Sequence, residues 1–302
     1  MLVPASDAPS LALFPGFRAF DARTSGAVIR CVVGGDGPPL LLLHGYPQTH
    51  AMWHKVAGRL ARRFTLVCAD LRGYGDSGKP PTDAAHAPYS KRAMALDMVE
   101  TMGLLGFDRF FLGAHDRGAR VSHRLMLDHP GRVERAVLLD IAPTREMYAE
   151  TSAEFAQAYW HWFWLTQPAP MPERLIGADP EYFWRWKCGK GSAGLAPFTP
   201  AALGEYLRCW TPGTIHASCE DYRAAASIDI RHDEEDGDRK AEQPLLVLWG
   251  AQGVIGRCFD PLALWRRRAE DVRGHALAGG HYLAEELPDE VADAMAGFFA
   301  AG

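Results

Sequence analysis

The pattern of apolar and polar positions predicts buried strands that alternate with amphipathic helices over the first half of the chain. Short, mostly apolar runs are typical of strands covered on both faces of a parallel sheet. Such runs occupy residues 40–43, 64–69, 109–114 and 136–140, and helical spacing occupies residues 52–62, 91–105 and 119–127. Two earlier strands are predicted within residues 17–33, around a turn at Ser25-Gly26. This alternation favours a doubly wound, mostly parallel sheet.

The alternation stops after the fourth buried run. Residues 148–238 are rich in aromatic side chains and carry helical patches broken by Pro and Gly, without strand-like runs. The later elements are a strand at 244–249, a helix near 261–269, a strand near 274–277 and a terminal helix from Pro288. The sequence therefore predicts a core of residues 1–144 and 241–302 with a helical cap at 145–240. We expect the acidic stretch 229–238 to be a solvated loop that returns to the core.

Composition argues against several classes of partner and cofactor. The chain has 302 residues, 48% of them hydrophobic, which is enough for a sizeable core, and its net charge of −5 comes without a basic stripe for nucleic acid. No apolar run approaches the ~18 residues that cross a membrane, and the N-terminus lacks a signal-peptide pattern. The six cysteines have no metal-ligand spacing, and no Gly-x-Gly-x-x-Gly follows a strand. We therefore expect a cytoplasmic protein without metal or cofactor.

Residues 110–120 combine a buried strand, a tight turn and a helix start, with Asp116 at the centre. Ala114 and Gly118 flank Asp116 at two positions on either side. Small flanking residues indicate a nucleophile elbow, because the strand and helix backbones pass close together there. A carboxylate nucleophile attacks saturated carbon and leaves an ester. The alternative role for Asp116 is to cap the following helix.

An ester on Asp116 would require a general base and an acid that orients this base. His281 follows the last short strand, within Gly279-Gly280-His281-Tyr282, where a loop can carry it over the elbow. The loop after residues 244–249 contains no carboxylate. Asp140, at the end of the fourth buried run, is therefore the preferred acid, and Asp260 is the alternative. The histidines that we expect to be surface or capping groups are His50, His86, His129 and His232.

Two arginines would suit the site to an anionic substrate. Arg117 and Arg120 follow Asp116 at one and four residues, so both can lie at the helix start beside it. Guanidinium groups bind carboxylates bidentately. They would offset the repulsion between Asp116 and an anion, which is on the order of 4 kcal/mol at about 4 Å and an effective dielectric of ~20. The other interpretation is a pair of surface arginines bridged to nearby acids.

A turn after the first buried run can contribute backbone donors. His44-Gly45-Tyr46-Pro47 follows that run, at the same edge of the predicted sheet as Asp116. Its N–H groups, together with that of Arg117, are predicted to form an oxyanion hole for the tetrahedral intermediate of ester hydrolysis.

From residue 44 to about residue 281 the chain resembles the fluoroacetate dehalogenases, also called haloacetate dehalogenases, of the α/β-hydrolase superfamily. Matches outside the cap are His44-Gly45-Tyr46-Pro47-Gln48, His115-Asp116-Arg117-Gly118, Asp140-Ile141-Ala142-Pro143-Thr144 and Gly279-Gly280-His281. Matches in the cap are Tyr159-Trp160-His161-Trp162, Ile176-Gly177-Ala178-Asp179-Pro180, Ile215-His216-Ala217-Ser218-Cys219 and Asp221-Tyr222-Arg223-Ala224. The cap matches are the specific ones, because general hydrolases do not share them.

This resemblance implies an α/β-hydrolase fold with an inserted helical cap, and hydrolytic release of halide from a 2-haloacid without a cofactor. Asp116 would displace halide from the α-carbon while Arg117 and Arg120 hold the carboxylate. His281, oriented by Asp140, would then activate water against the ester.

The resemblance also implies a halide pocket in the cap. His161, the indole N–H of Trp162 and the hydroxyl of Tyr222 would surround the departing halide, and Tyr46 would also contact the substrate. Several converging donors suit fluoride, a poor leaving group whose developing charge they stabilise. The implied partners are a small carboxylate substrate, its halide product and a second copy of the chain in a homodimer.

One segment departs from the family pattern. The family usually carries a second pocket tryptophan in a Phe-Gly-Trp-Gly run. The corresponding segment of this chain is one residue shorter overall and contains Cys188-Gly189-Lys190-Gly191. Lys190, or no side chain at all, would take the place of that tryptophan. We therefore expect a weakened preference for fluoride.

Three other functions compete with dehalogenation of a 2-haloacid. An epoxide hydrolase shares the Asp nucleophile and His base, but it usually has an apolar aromatic residue where Arg117 stands. A haloalkane dehalogenase would not need Arg117 and Arg120. A catalytically silent binding protein of the same fold would have lost the nucleophile, base or acid, and none is missing here.

Overall fold

A nine-stranded, mostly parallel sheet forms the centre of the computed structural model, which describes residues 1–191 and 193–300. The strands are β1 (Leu2–Pro4), β2 (Arg18–Arg23), β3 (Val28–Gly34), β4 (Pro39–Leu43), β5 (Thr65–Ala69), β6 (Phe110–His115), β7 (Val133–Leu139), β8 (Leu245–Gly250) and β9 (Val272–Leu277). Their order is β1-β2-β3-β5-β4-β6-β7-β8-β9. The pairings of β1, β2 and β3 are antiparallel, and those among β4 to β9 are parallel.

Helices connect the parallel strands, so both faces of the sheet are covered and its apolar runs are buried. They are α1 (His54–Leu60), α2 (Lys91–Leu104), α3 (Arg117–Asp128), α12 (Val254–Cys258), α13 (Pro261–Arg266), α14 (Leu283–Glu286) and α15 (Pro288–Ala300). This arrangement confirms the predicted doubly wound α/β fold. Within the described ranges, no helix has both the length and the apolar character that crossing a membrane requires.

The described residues between β7 and β8 form helices and no strand, apart from an isolated β-bridge between Ala241 and Ala269. These helices are α4 (Thr144–Ala149), α5 (Ala153–Ala158), α6 (His161–Trp164), α7 (Met171–Ala178), α8 (Pro180–Gly189), α9 (Pro200–Cys209), α10 (Pro212–Ala225) and α11 (Ile228–Glu235). Asp179, Thr199 and Thr211 cap α8, α9 and α10, and a proline follows each cap, which fixes where these helices begin. The division into a core and a cap at 145–240 stays an interpretation.

The acidic stretch near the end of this insertion is a helix, so the predicted solvated loop was wrong. Asp229 and Asp233 of α11 are buried. Asp229 accepts a hydrogen bond from the backbone N–H of Lys91 at 2.8 Å, and Asp233 pairs with Arg124 at 2.8 Å. These carboxylates can be buried because they pair with cations on α2 and α3. The partners are distant in sequence, so the acidic composition of the stretch could not reveal them.

His50 also differs from its predicted surface or capping role. It is fully buried, with Nδ1 2.8 Å from Asp70 Oδ1 and Nε2 2.9 Å from the hydroxyl of Ser10. The ring therefore ties the turn after β4 to the end of β5 and to the N-terminal segment.

A buried acid should make stability depend on pH. Burial raises the pKa of Glu285 to about 8, from an ordinary value of 4.5, although Gln48 and Tyr206 offer hydrogen bonds. The folded chain then keeps a proton that the unfolded chain releases, so the free energy of unfolding should fall as pH rises from about 4.5 to about 8.

Glu285→Gln should remove this dependence and raise Tm at pH 8 by about a few degrees. Thermal melts at several pH values check this. Glu290→Gln, at an exposed position of α15, is the matched control. An unchanged pH profile in Glu285→Gln would refute the assignment.

Candidate active site

Asp116 lies at a sharp turn between β6 and α3. Its φ is 45° and its ψ is −111°, outside the regions that non-glycine residues favour, and its side chain is buried. A Cβ on Gly118 would lie 2.5 Å from the carbonyl oxygen of His44, and one on Gly45 would lie 2.5 Å from Cβ of Asp116. These contacts explain the small neighbours. The Asp116 carboxylate accepts no capping hydrogen bond from α3, so helix capping does not describe it.

The Asp116 carboxylate is held as an anion, and one of its two oxygens accepts a hydrogen bond. The backbone N–H of Tyr46 donates to Oδ1 at 3.0 Å, whereas Oδ2 accepts no hydrogen bond from the described residues. Burial by itself would raise the pKa of Asp116, but His281, His115 and Arg117 outweigh it and hold that pKa below its ordinary value. Asp116 is therefore ionised at neutral pH, with Oδ2 free to react.

His281 and Asp140 meet as the sequence predicts. His281 Nδ1 lies 2.6 Å from Asp140 Oδ2, and the backbone N–H of Gly250 donates to Asp140 Oδ1 at 2.9 Å. Asp140 is fully buried just after β7, and burial raises its pKa against the opposing effect of His281. The alternative acid, Asp260, instead caps α13 through Ala263.

Two further side chains contact His281, and the sequence analysis did not select them. His115 Nε2 lies 2.8 Å from the carbonyl oxygen of His281, and their ring centroids are 4.5 Å apart. The hydroxyl of Tyr159 lies 3.3 Å from His281 Nδ1. The position of His115 directly before Asp116 was the available signal. These contacts fix the loop that carries His281 against the elbow.

The guanidinium of Arg117 is fully buried and firmly oriented. Its Nε donates to Asp221 Oδ2 at 2.9 Å, and its Nη2 donates to Asp221 Oδ1 at 2.6 Å. Its remaining nitrogen, Nη1, is buried without a partner among the described residues. Asp221, which the sequence analysis did not assign to the site, also accepts hydrogen bonds from Tyr74 and Lys91. Asp221 therefore fixes Arg117 and leaves one donor free.

Arg120 is a buried cation without an acidic partner in the described parts of the chain. Nη1 donates to the hydroxyl of Thr144, Nη2 lies 3.1 Å from the sulfur of Met147, and Nε has no partner. Burial, followed by the charge of Arg117, lowers the pKa of Arg120 to about 10, so it stays cationic at neutral pH. Buried charges normally have a counter-charge, so Arg120, together with the unpartnered Nη1 of Arg117, indicates an anion site.

The predicted halide donors lie together beside this anion site. Tyr46 packs on His161 and Tyr222 with ring centroids 6.0 Å and 5.2 Å away, and the Arg120 guanidinium lies 4.3 Å from the ring centroid of Trp162. The atoms buried without a hydrogen-bond partner are Nδ1 of His161, Nε1 of Trp162 and the hydroxyls of Tyr46 and Tyr222. Buried polar atoms are partnered in the great majority of cases, so such a group indicates a ligand.

Tyr148 is a further member of this group that the sequence analysis missed. Its hydroxyl is also buried without a partner, and its ring lies 5.1 Å from that of Trp162. Burial raises the pKa of Tyr148 to about 12, so it remains a neutral hydroxyl donor.

A cavity of about 400 Å³ reaches His281 from the side of α8. Lys190 lines it, but its ammonium lies 5.2 Å from the ring centroid of Trp186. The cation that approaches the aromatic group is Lys187, whose ammonium lies 5.8 Å from the ring centroid of Tyr46. Lys187 and Lys190 thus both line this cavity.

Comparisons with known proteins identify the fold family and relatives of the chain. The family model described as alpha/beta hydrolase fold matches residues 38–257. The chain is 47% identical to a fluoroacetate dehalogenase from Burkholderia sp, over 93% of each chain. It is 31% identical to a soluble epoxide hydrolase from Corynebacterium sp. (strain C12), over 92% of this chain and 96% of that one. A crystal structure described as an alpha/beta hydrolase from Nostoc sp PCC 7120 superposes with a TM-score of 0.92 at 55% identity, covering 95% and 99% of the two chains.

Proposed function

The chain belongs to the fluoroacetate dehalogenases of the α/β-hydrolase superfamily and is a hydrolase of carbon–halide bonds, and we propose that it converts short 2-haloacids to 2-hydroxyacids through an ester on Asp116. The observation that carries this proposal is the group of unpartnered buried donors beside Asp116. Cationic donors suit the carboxylate of a haloacid, and neutral donors suit its departing halide.

Substrate binding would begin at the two arginines. Arg117 Nη1 and Arg120 Nε are the unpartnered guanidinium nitrogens, and each would donate to the substrate carboxylate. Asp221 already neutralises much of the charge on Arg117, so Arg120 contributes the less compensated positive charge. Together they would hold an anion against the repulsion of Asp116 and place its α-carbon near Oδ2.

Displacement would follow at the α-carbon. Oδ2 of Asp116 forms the new carbon–oxygen bond while the carbon–halogen bond breaks, and the halide leaves with the bonding electrons. The indole N–H of Trp162, the hydroxyl of Tyr222 and the ring of His161 would surround the charge that develops on the halogen. Burial, with a contribution from nearby cations, holds the pKa of His161 well below its ordinary value, so this ring is a neutral donor.

Hydrolysis of the ester would use the other half of the site. His281 takes a proton from water, which attacks the carboxyl carbon of Asp116, and Asp140 stabilises the resulting imidazolium. The backbone N–H of Tyr46 already donates to Oδ1 and would bind the oxyanion that forms there. The intermediate then collapses: the ester oxygen takes the proton back from His281 and departs as the hydroxyl of the 2-hydroxyacid, and the Asp116 carboxylate is regenerated as its remaining proton passes to solvent.

Halide release from a panel of acids tests the proposal. We expect release from chloroacetate and fluoroacetate, with kcat/KM higher for chloroacetate because the altered segment at Cys188-Gly189-Lys190-Gly191 weakens the preference for fluoride. Ion chromatography of both halides measures this. Equal or faster release of fluoride would refute the halogen order, and no halide release from any acid would refute the function.

Epoxide hydrolysis is the second candidate, because a soluble epoxide hydrolase is among the relatives and Tyr46, Tyr148 and Tyr222 offer free hydroxyls. Against it, an epoxide has no negative charge for Arg117 and Arg120 to bind. Diol formation from a neutral epoxide at a kcat/KM above that for chloroacetate would favour this second function.

Arg120→Lys should raise KM for chloroacetate by about tenfold to a hundredfold, with a smaller change in kcat. The guanidinium of Arg120 donates to Thr144 through Nη1 and still has Nε for the substrate carboxylate. The single ammonium of lysine cannot reproduce both planar hydrogen bonds. Steady-state kinetics measures the split between KM and kcat. The control is Arg132→Lys, the same exchange on an exposed arginine paired with Asp108. Equal KM values in the two variants would contradict the role of Arg120.

We also propose a homodimer, which the family resemblance implies, and a cytoplasmic location, which the scattered cysteines favour. Light scattering at several protein concentrations would measure the oligomeric state.

A further inference from the structure

The cavity beside His281 is lined by cations. Lys187, Lys190 and Arg257 contribute to its wall, and no aspartate or glutamate does so among the described residues. The proposed reaction on a haloacetate needs only Arg117 and Arg120 to hold the carboxylate. The positive charge in this cavity is therefore not explained by a two-carbon substrate.

Of the two lysines, neither of which forms an ion pair within residues 1–191 and 193–300, Lys187 is the less exposed. Arg257 pairs with Glu154 at 2.7 Å, and Lys190 lies on the exposed indole of Trp186. Lys187 forms neither a hydrogen bond nor an ion pair within residues 1–191 and 193–300, and burial lowers its pKa. A half-buried ammonium without a counter-charge favours an anion that can approach it.

A series of aromatic contacts links Lys187 to the first anion site. Its ammonium faces the ring of Tyr46, that ring contacts Tyr222, and the Arg117 guanidinium lies 4.2 Å from the ring centroid of Tyr222. Two aromatic rings thus connect the two cationic groups. Lys187 and His281, the base beside Asp116, both line the cavity of about 400 Å³, so a carbon chain attached to the α-carbon could extend past His281 toward Lys187.

We propose that the enzyme accepts halogenated dicarboxylic acids, with the α-carboxylate on Arg117 and Arg120 and the second carboxylate on Lys187. This inference rests on the proposed function and assigns its substrate class. The chemistry needs no additional reactant: Asp116 forms the ester as halide leaves, and water then yields the 2-hydroxy diacid.

The test compares 2-chlorosuccinate with its monoamide, in which a neutral carboxamide of the same size replaces the second carboxylate. We expect kcat/KM for the diacid to exceed that for the monoamide by about tenfold, with most of the difference in KM. Lys187→Met should bring this ratio close to one, whereas Lys187→Arg should preserve it. Lys240→Met, at an exposed lysine bonded to the carbonyl of Arg266, is the matched control.

Chloroacetate is assayed in parallel, so that failure of the second carboxylate site can be distinguished from failure of the proposed function. Turnover of chloroacetate with no advantage of the diacid over the monoamide overturns the second carboxylate site and leaves the proposed function standing. A diacid advantage that survives in Lys187→Met also overturns the assignment, as does an equal loss for both substrates, which would place Lys187 at the halide instead. Absence of turnover with every acid refutes the proposed function, and this inference with it.

Discussion

Asp116→Asn is expected to lower kcat for halide release from chloroacetate by about 10⁴-fold or more. The amide is a far weaker nucleophile than a carboxylate whose neighbours keep it ionised. Asparagine has nearly the same shape, so Tyr46 can still donate to its oxygen and the elbow should remain folded.

Halide release by ion chromatography and thermal melts should be measured on the same preparation. Asp260→Asn is the matched control, because Asp260 caps α13 and asparagine caps helices equally well, so kcat and Tm should both stay close to those of the unmodified enzyme. Activity within tenfold of the unmodified enzyme in Asp116→Asn would exclude Asp116 as the nucleophile.

His281→Gln should separate the two half-reactions and produce the second large effect. Displacement needs Asp116 and the donors, whereas hydrolysis of the ester needs the base, so about one halide per active site should appear rapidly and steady turnover should nearly stop. Mass spectrometry of the quenched protein should find a carboxymethyl group on the peptide that contains Asp116.

His275→Gln, on β9 and away from the loop of His281, is the control and should turn over without a trapped adduct. Loss of both the halide burst and the adduct in His281→Gln would mean that the base acts before or during displacement. Continued turnover would assign general base catalysis to another residue.

The fold could be predicted from the sequence because its signals are local. The apolar runs of β4, with four consecutive leucines, and of β8 indicate strands buried on both faces. The connecting helices are recognised by the helical spacing of their apolar residues. The elbow was also predictable, since Ala114 and Gly118 sit where the backbones of β6 and α3 must pass. Asp140 could be predicted as the acid that orients His281 because the loop after β8 contains no carboxylate.

What the sequence could not provide depends on contacts between distant residues. Arg117 is oriented by Asp221, 104 residues away, and the helical acids of α11 are stable in the interior only because Lys91 and Arg124 come from other elements. Lys187 lies three positions before Lys190, and only the packing of α8 decides which of the two faces Tyr46. Such pairings are properties of the tertiary structure.

The measurement that tests the aspartyl ester most directly is a single turnover in H₂¹⁸O with enzyme in excess over chloroacetate. We predict a 2-hydroxyacid whose new oxygen is unlabelled, because it comes from Asp116, and one ¹⁸O in the peptide that contains Asp116. A labelled product together with an unlabelled Asp116 peptide would mean that water attacks the α-carbon directly, and would contradict the account.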